Sequence, residues 1–160
     1  SSFHTLLDCA KSEYWGLTDG MNATASPDDT GPPGQAVMKA ALQEYVDLTN
    51  VGDAAGLVAL FAPDATIEDP VGSPAKTGDE IAAWFRDSVA FGARIFPTVP
   101  IRGSHANSAA LVFDVEFTPP GGERMRIRSL DVCTFDESGR ITSLRAYWGP
   151  DDIVPVETAA

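Results

Sequence analysis

Arg124-Met125-Arg126-Ile127-Arg128-Ser129-Leu130-Asp131-Val132-Cys133-Thr134-Phe135 reads as a β-strand. Side chains alternate faces along a strand, so Ile127, Ser129, Asp131, Cys133 and Phe135 share one face. Arg128, Leu130, Val132 and Thr134 share the other. A carboxyl group therefore stands on the face that the other residues mark as interior. Two readings are open. In one, Asp131 is buried and keeps its proton, because desolvation penalises the charged form; a neutral carboxylic acid then donates a hydrogen bond at pH 7. In the other, the pattern is reversed and Asp131 faces water.

Strands of similar character flank this one. Leu111, Phe113, Val115 and Phe117 alternate with Val112, Asp114 and Glu116 within Ala109–Phe117, the pattern of a half-buried strand. Ile95–Arg102 and Ile141–Trp148 are further candidates, and Pro119-Pro120-Gly121-Gly122 and Asp136-Glu137-Ser138-Gly139 supply turns. Upstream the period changes. Val37, Ala40, Ala41, Tyr45 and Leu48 predict an amphipathic helix ended by Asn50-Val51-Gly52-Asp53. Asp53 caps a second helix through Leu57, Leu60 and Phe61. Ala65–Glu68 forms a short strand before Asp69-Pro70. Thr77, with Glu80 three residues on, predicts a capping box for a third helix carrying Ile81, Trp84, Phe85 and Val89. Helices first and long strands after give an α+β fold, a sheet wrapped on helices.

The 160 residues suit one folded domain. The domain is expected over 36–150, after an extension and linker at 1–35 and before a tail at 151–160. Residues 22–35 are rich in Asp, Pro, Gly, Ser and Thr; Met21 before them reads as a start site, and Leu6, Leu7, Ala10 and Tyr14 have near-helical spacing. The formal charge of −12 repels nucleic acid and anionic membrane surfaces. Two cysteines make no disulfide framework, and no signal peptide or membrane span is legible, so the expectation is a cytoplasmic domain. No H-E-x-x-H, C-x-x-C or G-x-S-x-G occurs; His105 completes no triad, and Gly31-Pro32-Pro33-Gly34 lacks the Lys-Ser/Thr of a phosphate loop.

Three polar groups fall on otherwise apolar faces: Tyr45 on the first helix, Asp69 at the end of the short strand, and Asp131. Each alone has an ordinary explanation, such as a tyrosine bonded to a carbonyl or an aspartate in a turn. Around them the chain contains Glu44-Tyr45-Val46-Asp47-Leu48, Val51-Gly52-Asp53, Asp64-Ala65-Thr66-Ile67-Glu68-Asp69-Pro70, Ile81-Ala82-Ala83-Trp84-Phe85-Arg86, Ile101-Arg102-Gly103-Ser104-His105, Asp131-Val132, Phe135-Asp136-Glu137-Ser138-Gly139-Arg140-Ile141 and Ala146-Tyr147-Trp148. In these segments it resembles the bacterial ketosteroid isomerases, over about residues 36–150.

The resemblance implies a cone-shaped, curved antiparallel sheet packed on three helices, of the nuclear-transport-factor-2-like type, and a homodimer. It implies a steroid Δ-isomerase that moves the double bond of a 3-oxo-5-ene steroid into conjugation, without cofactor or metal. Asp69 matches the base that carries a proton from carbon 4 to carbon 6; Tyr45 and Asp131 match the donors that hold the dienolate oxygen, one of them a carboxylic acid kept neutral. Trp84, Phe85, Leu111, Phe113, Val115 and Trp148 are the expected walls of an apolar substrate site. One departure stands out: where well-known members place two tyrosines behind the oxyanion tyrosine, this chain has Phe61 and Phe85. The rival readings are a polyketide cyclase-like enzyme and a non-catalytic steroid- or lipid-binding module on the same fold.

Overall fold

A computed structural model describes residues 31–157. The near-helical spacing at 6–14, Met21 and Cys9 lie outside the described residues.

Helix α1 spans Gln35–Val51 and α2 spans Ala54–Ala59. Gly52 ends α1 at φ +74°, a left-handed conformation glycine adopts without a Cβ penalty. Asp53 then caps α2, accepting the Gly56 N–H at 2.8 Å. The buried stripe of α1 is Met38, Leu42, Val46 and Thr49. Val37 is exposed and Ala40 is too, so the expected stripe is rotated; Ala41, Tyr45 and Leu48 form its half-buried flank. Helix α2 stops before Leu60. Phe61 is instead drawn into strand β1 (Phe61–Glu68), where it pairs with Ile141, a long-range contact that overrides the helical spacing.

Strand β2 is Lys76–Thr77 and helix α3 is Asp79–Ala90. The α3 cap is Gly78 rather than Thr77. Thr77 is held in β2 opposite Thr66, and only half of the box forms: the Glu80 carboxylate accepts the Thr77 N–H at 2.9 Å. Strands β3 (Arg94–Pro97), β4 (Ser108–Phe117), β5 (Met125–Phe135) and β6 (Ile141–Tyr147) follow. The expected strand Ile95–Arg102 is cut short at Pro97, with one isolated bridge between Arg102 and Ala110. Pro97 and Pro100 lack the N–H that a continuous ladder uses.

The sheet order is β2-β1-β6-β5-β4-β3. It is a curved mixed sheet, not the expected antiparallel one, because β1 runs parallel to β6. The stretch after Gly149 is no simple tail. A turn at Pro150–Asp152 leads into β7 (Ile153–Pro155), which pairs with Met125–Ile127 on the β5 edge that β6 occupies further along. The core lies between the inner face of the sheet and the helices, built on Met38, Leu42, Leu57, Ile67, Leu111, Cys133, Phe135 and Ile141. No helix among the described residues is long and apolar enough to cross a membrane.

Candidate active site

The inner face of the β4–β5 pair divides into two parts. In register, Ala109 faces Cys133, Leu111 faces Asp131, Phe113 faces Ser129 and Val115 faces Ile127. Ala109, Leu111, Cys133 and Phe135 belong to solid core. Val115, Phe117, Ile127, Ser129 and Asp131, with Phe113, which also packs in the core, line a cavity of about 360 Å³, within the size range of small-molecule sites. Asp131 thus stands at the floor, where packed core gives way to empty space. Of the two readings open from sequence, the buried one is the one observed: Asp131 is 2 % exposed while its neighbour Leu130 is 37 % exposed.

Tyr45 enters the cavity from the flank of α1, and Asp69 from the end of β1. The parallel pairing of β1 with β6 brings Asp69 to its partner. Glu68 is in register with Arg145, so both chains leave the sheet at the same end. There Trp148 Nε1–H donates to Asp69 Oδ1 at 2.7 Å. A wholly antiparallel sheet would send these two ends apart.

The two carboxyl groups differ in surroundings. Burial raises Asp131 well above the usual carboxylate range; the Asp69 charge adds to this, and a hydrogen bond from Ser129 opposes it. Burial also raises Asp69, but the Trp148 N–H and the Lys76 ammonium both act to lower it. Tyr45 is pushed up by burial first and then by Asp131 and Asp69. Lys76 also sits over the Trp84 ring, 4.3 Å from its centroid. Among the described residues the Tyr45 hydroxyl makes no hydrogen bond, and its ring meets Phe85 edge-on with centroids 6.2 Å apart. Phe85 in turn packs on Phe61 at 5.4 Å. The ring contacts behind Tyr45 are thus made by Phe85 and Phe61, neither of which can hydrogen-bond its hydroxyl.

Of the six expected wall residues, Trp84, Phe85, Phe113, Val115 and Trp148 line the cavity. Leu111 does not: it is fully buried beneath the floor, one register position into the core half. Twelve further lining residues lie outside the expected set, and two of them, Ser129 and Ile153, matter most here. Ser129 shares the Asp131 face by simple alternation, and that was its signal. Ile153 reaches the cavity because β7 folds back on β5; the apolar pair Ile153-Val154 after Pro150-Asp151-Asp152 was the only sign of that strand. No group of three or more His, Cys, Asp or Glu side chains converges as a metal site among the described residues.

Residues 42–144 match the SnoaL-like domain. The chain is 40% identical over 119 residues to the steroid Delta-isomerase of Nocardioides simplex, covering 74% of this chain and 95% of that protein. It is 31% identical over 124 residues to the epoxide hydrolase LasB of Streptomyces lasalocidi, covering 75% of this chain and 44% of LasB. Among solved structures, the epoxide hydrolase/cyclase-like enzyme SalBIII, with a role in pyran ring formation in the polyether salinomycin, superposes with a TM-score of 0.70 at 32% identity, covering 74% of this chain and 95% of that one. These relatives are enzymes.

Proposed function

We propose that this chain, which belongs to the SnoaL-like family, is a steroid Δ-isomerase that shifts the double bond of a 3-oxo-5-ene steroid into conjugation with the ketone. The observation that carries the reading is the unlike pair of acids in one apolar cavity: Asp131 at the floor, pushed strongly toward its neutral form, and Asp69 at the end of β1 under the Trp148 N–H. The 40% identity to a steroid Delta-isomerase supports the substrate class.

Asp69 takes the proton from carbon 4, leaving a dienolate, and returns it to carbon 6 as the ketone re-forms. Such a base works best when its pKa lies near the working pH, and the upward shift of Asp69 by burial moves it that way. The Tyr45 hydroxyl and the Asp131 carboxylic acid donate to the oxygen on which negative charge develops; fixed donors in a dry site are worth far more there than in water. Every atom moved belongs to the substrate, so the step needs no cofactor. Trp84, Phe85, Phe113, Val115 and Trp148 hold the ring system by apolar contact. Leu130 and Tyr147, register partners on the outer sheet face and 37% and 44% exposed, offer a second copy of the chain an apolar seat in the homodimer we expect.

A second reading draws on LasB and SalBIII. The same acid and base suit epoxide opening, with Asp131 protonating the ring oxygen while Asp69 takes the proton of an attacking water or hydroxyl. One experiment separates the two. With 5-androstene-3,17-dione, ultraviolet absorbance of the conjugated enone rises under the isomerase reading. If it stays at the buffer rate while a hydroxy-epoxide is opened or cyclised, the isomerase reading fails. Binding of steroid with neither turnover leaves a binding module.

A further inference from the structure

Ser129 and Asp131 stand together on the inner face of β5 in a row otherwise made of Met125, Ile127, Cys133 and Phe135, and both line the cavity. They are also bonded to each other. Ser129 Oγ–H donates to Asp131 Oδ1 at 3.1 Å, and both residues are buried. Oδ2 has no hydrogen-bond partner among the described residues. This asymmetry has a chemical meaning. A carboxylic acid has one carbonyl oxygen and one hydroxyl oxygen, and only the second can donate. With Ser129 as the donor, Oδ1 is the carbonyl oxygen and the proton resides on Oδ2; with the acid as donor, the proton would lie on Oδ1 and point to Ser129 instead. The bond from Ser129 also opposes rotation of the carboxyl group, which would exchange its two oxygens.

We infer that Ser129 is a positioning residue for the oxyanion site: its hydroxyl holds the Asp131 carboxyl with the acid proton on Oδ2, directed to the developing negative charge. The inference rests on the isomerase reading for its effect on rate, but its effect on Asp131 is independent of that reading. The hydrogen bond also polarises the acid, since a donor to the carbonyl oxygen strengthens the neighbouring O–H as a donor. Among the described residues no other side chain hydrogen-bonds the Asp131 carboxyl. Tyr45 on α1 and Asp69 after β1 are acids facing it, Cys133 is its neighbour on β5, and its register partners are Leu111 on β4 and Ala146 on β6.

The test uses the full chain with Ser129→Ala, Ser129→Thr and Ser129→Cys, the last nearly isosteric with a weak donor. Turnover of 5-androstene-3,17-dione is measured beside the ¹³C NMR titration of the Asp131 carboxyl carbon, assigned with Asp131→Asn. Ser129→Ala is expected to lower kcat by about 3- to 10-fold, the worth of one modest hydrogen bond, with KM changed less than about twofold. The Asp131 titration moves to higher pH, because a donor to the carboxylate is lost. Ser129→Thr restores both. If Ser129→Ala does not fold, Ser129→Cys is expected to show the same two changes to a smaller extent. An Asp131 titration that is unchanged or moves to lower pH overturns the inference, as does a loss of kcat that Ser129→Thr fails to restore. If the wild-type chain does not isomerise the steroid, the functional reading fails, and the titration alone still decides the role of Ser129.

Discussion

Strands β4 and β5 carry one continuous inner face, yet its two halves do different things. Toward Ala109 and Phe135 the face is packed solid: Leu111 and Cys133 have no exposed surface. Toward Val115 and Ile127 the same alternation lines empty space. The residue types hardly differ between the halves. What separates them is what lies opposite: buried helix and β1 side chains over the core half, and a gap bounded by Trp84, Phe85, Trp148 and Ile153 over the other. Period-2 alternation reports which face is inside, but whether inside is filled depends on a partner element. Asp131 sits on the boundary, which explains its chemistry. It is desolvated by the core below and open to a ligand above.

The largest expected effect concerns the open half. Asp69→Asn keeps the side-chain shape and removes the base, so kcat for steroid isomerisation should fall by about 100- to 10,000-fold, with the affinity for a phenolic steroid retained. Steady-state kinetics and a binding titration on the folded variant check it. Retention of most of the activity removes Asp69 from the role of base.

Next comes the boundary itself. Asp131→Ala should cost about 100- to 1,000-fold in kcat, the usual loss for one oxyanion donor, and Asp131→Asn clearly less, because an amide still donates. Equal losses would show that volume, not donation, matters at that position.

The contrast between the halves is open to direct attack by stability. Leu111→Ala in the filled half should cost about 2–5 kcal/mol in urea unfolding. Val115→Ala, facing the cavity, should cost only about 1 kcal/mol and change steroid affinity instead. Similar unfolding losses for both would erase the distinction drawn between core and wall.

The smallest effect is one of pH. The folded chain raises the Asp131 pKa above its unfolded value, so it binds more protons than the unfolded chain between about pH 4 and the folded pKa. The stability contributed by Asp131 is therefore full below the unfolded pKa and is lost as pH rises through that window. Asp131→Asn cannot titrate. Its urea midpoint relative to the parent should increase steadily from about pH 4 upward, the reference carboxylate value marking where the gain begins. A difference that is flat from about pH 4 upward would mean that Asp131 in the folded chain loses its proton no later than in the unfolded one.

Much of this architecture is legible in the residues. The order of helices and strands follows from spacing, and alternation puts Asp131 on one face with Ser129 and Cys133, but which way that face turns is decided by the packing. Other features depend on contacts that no local window contains. The helical spacing that runs to Phe61 yields to a parallel pairing with Ile141, eighty residues away in sequence. The same pairing makes the sheet mixed and sets Asp69 beside Trp148. Thr77 looks like a cap, but its backbone is taken by Thr66. Leu111 reads as a wall residue because it shares a face with Phe113 and Val115, and only the three-dimensional depth of the cavity separates them. The apolar pair Ile153-Val154 is short enough to pass as tail, and it acquires meaning only through the free edge of β5 beside Met125–Ile127.

The bond from Trp148 to Asp69 has an optical consequence. An indole responds in its emission to charge at its ring nitrogen, and here that nitrogen is tied to the carboxyl group itself. The protein therefore carries its own indicator dye at the proton-transfer centre. In a version in which Trp15 and Trp84 are replaced by phenylalanine, the colour of the remaining fluorescence would follow the ionisation of Asp69 and register the arrival of a ligand, with no label attached.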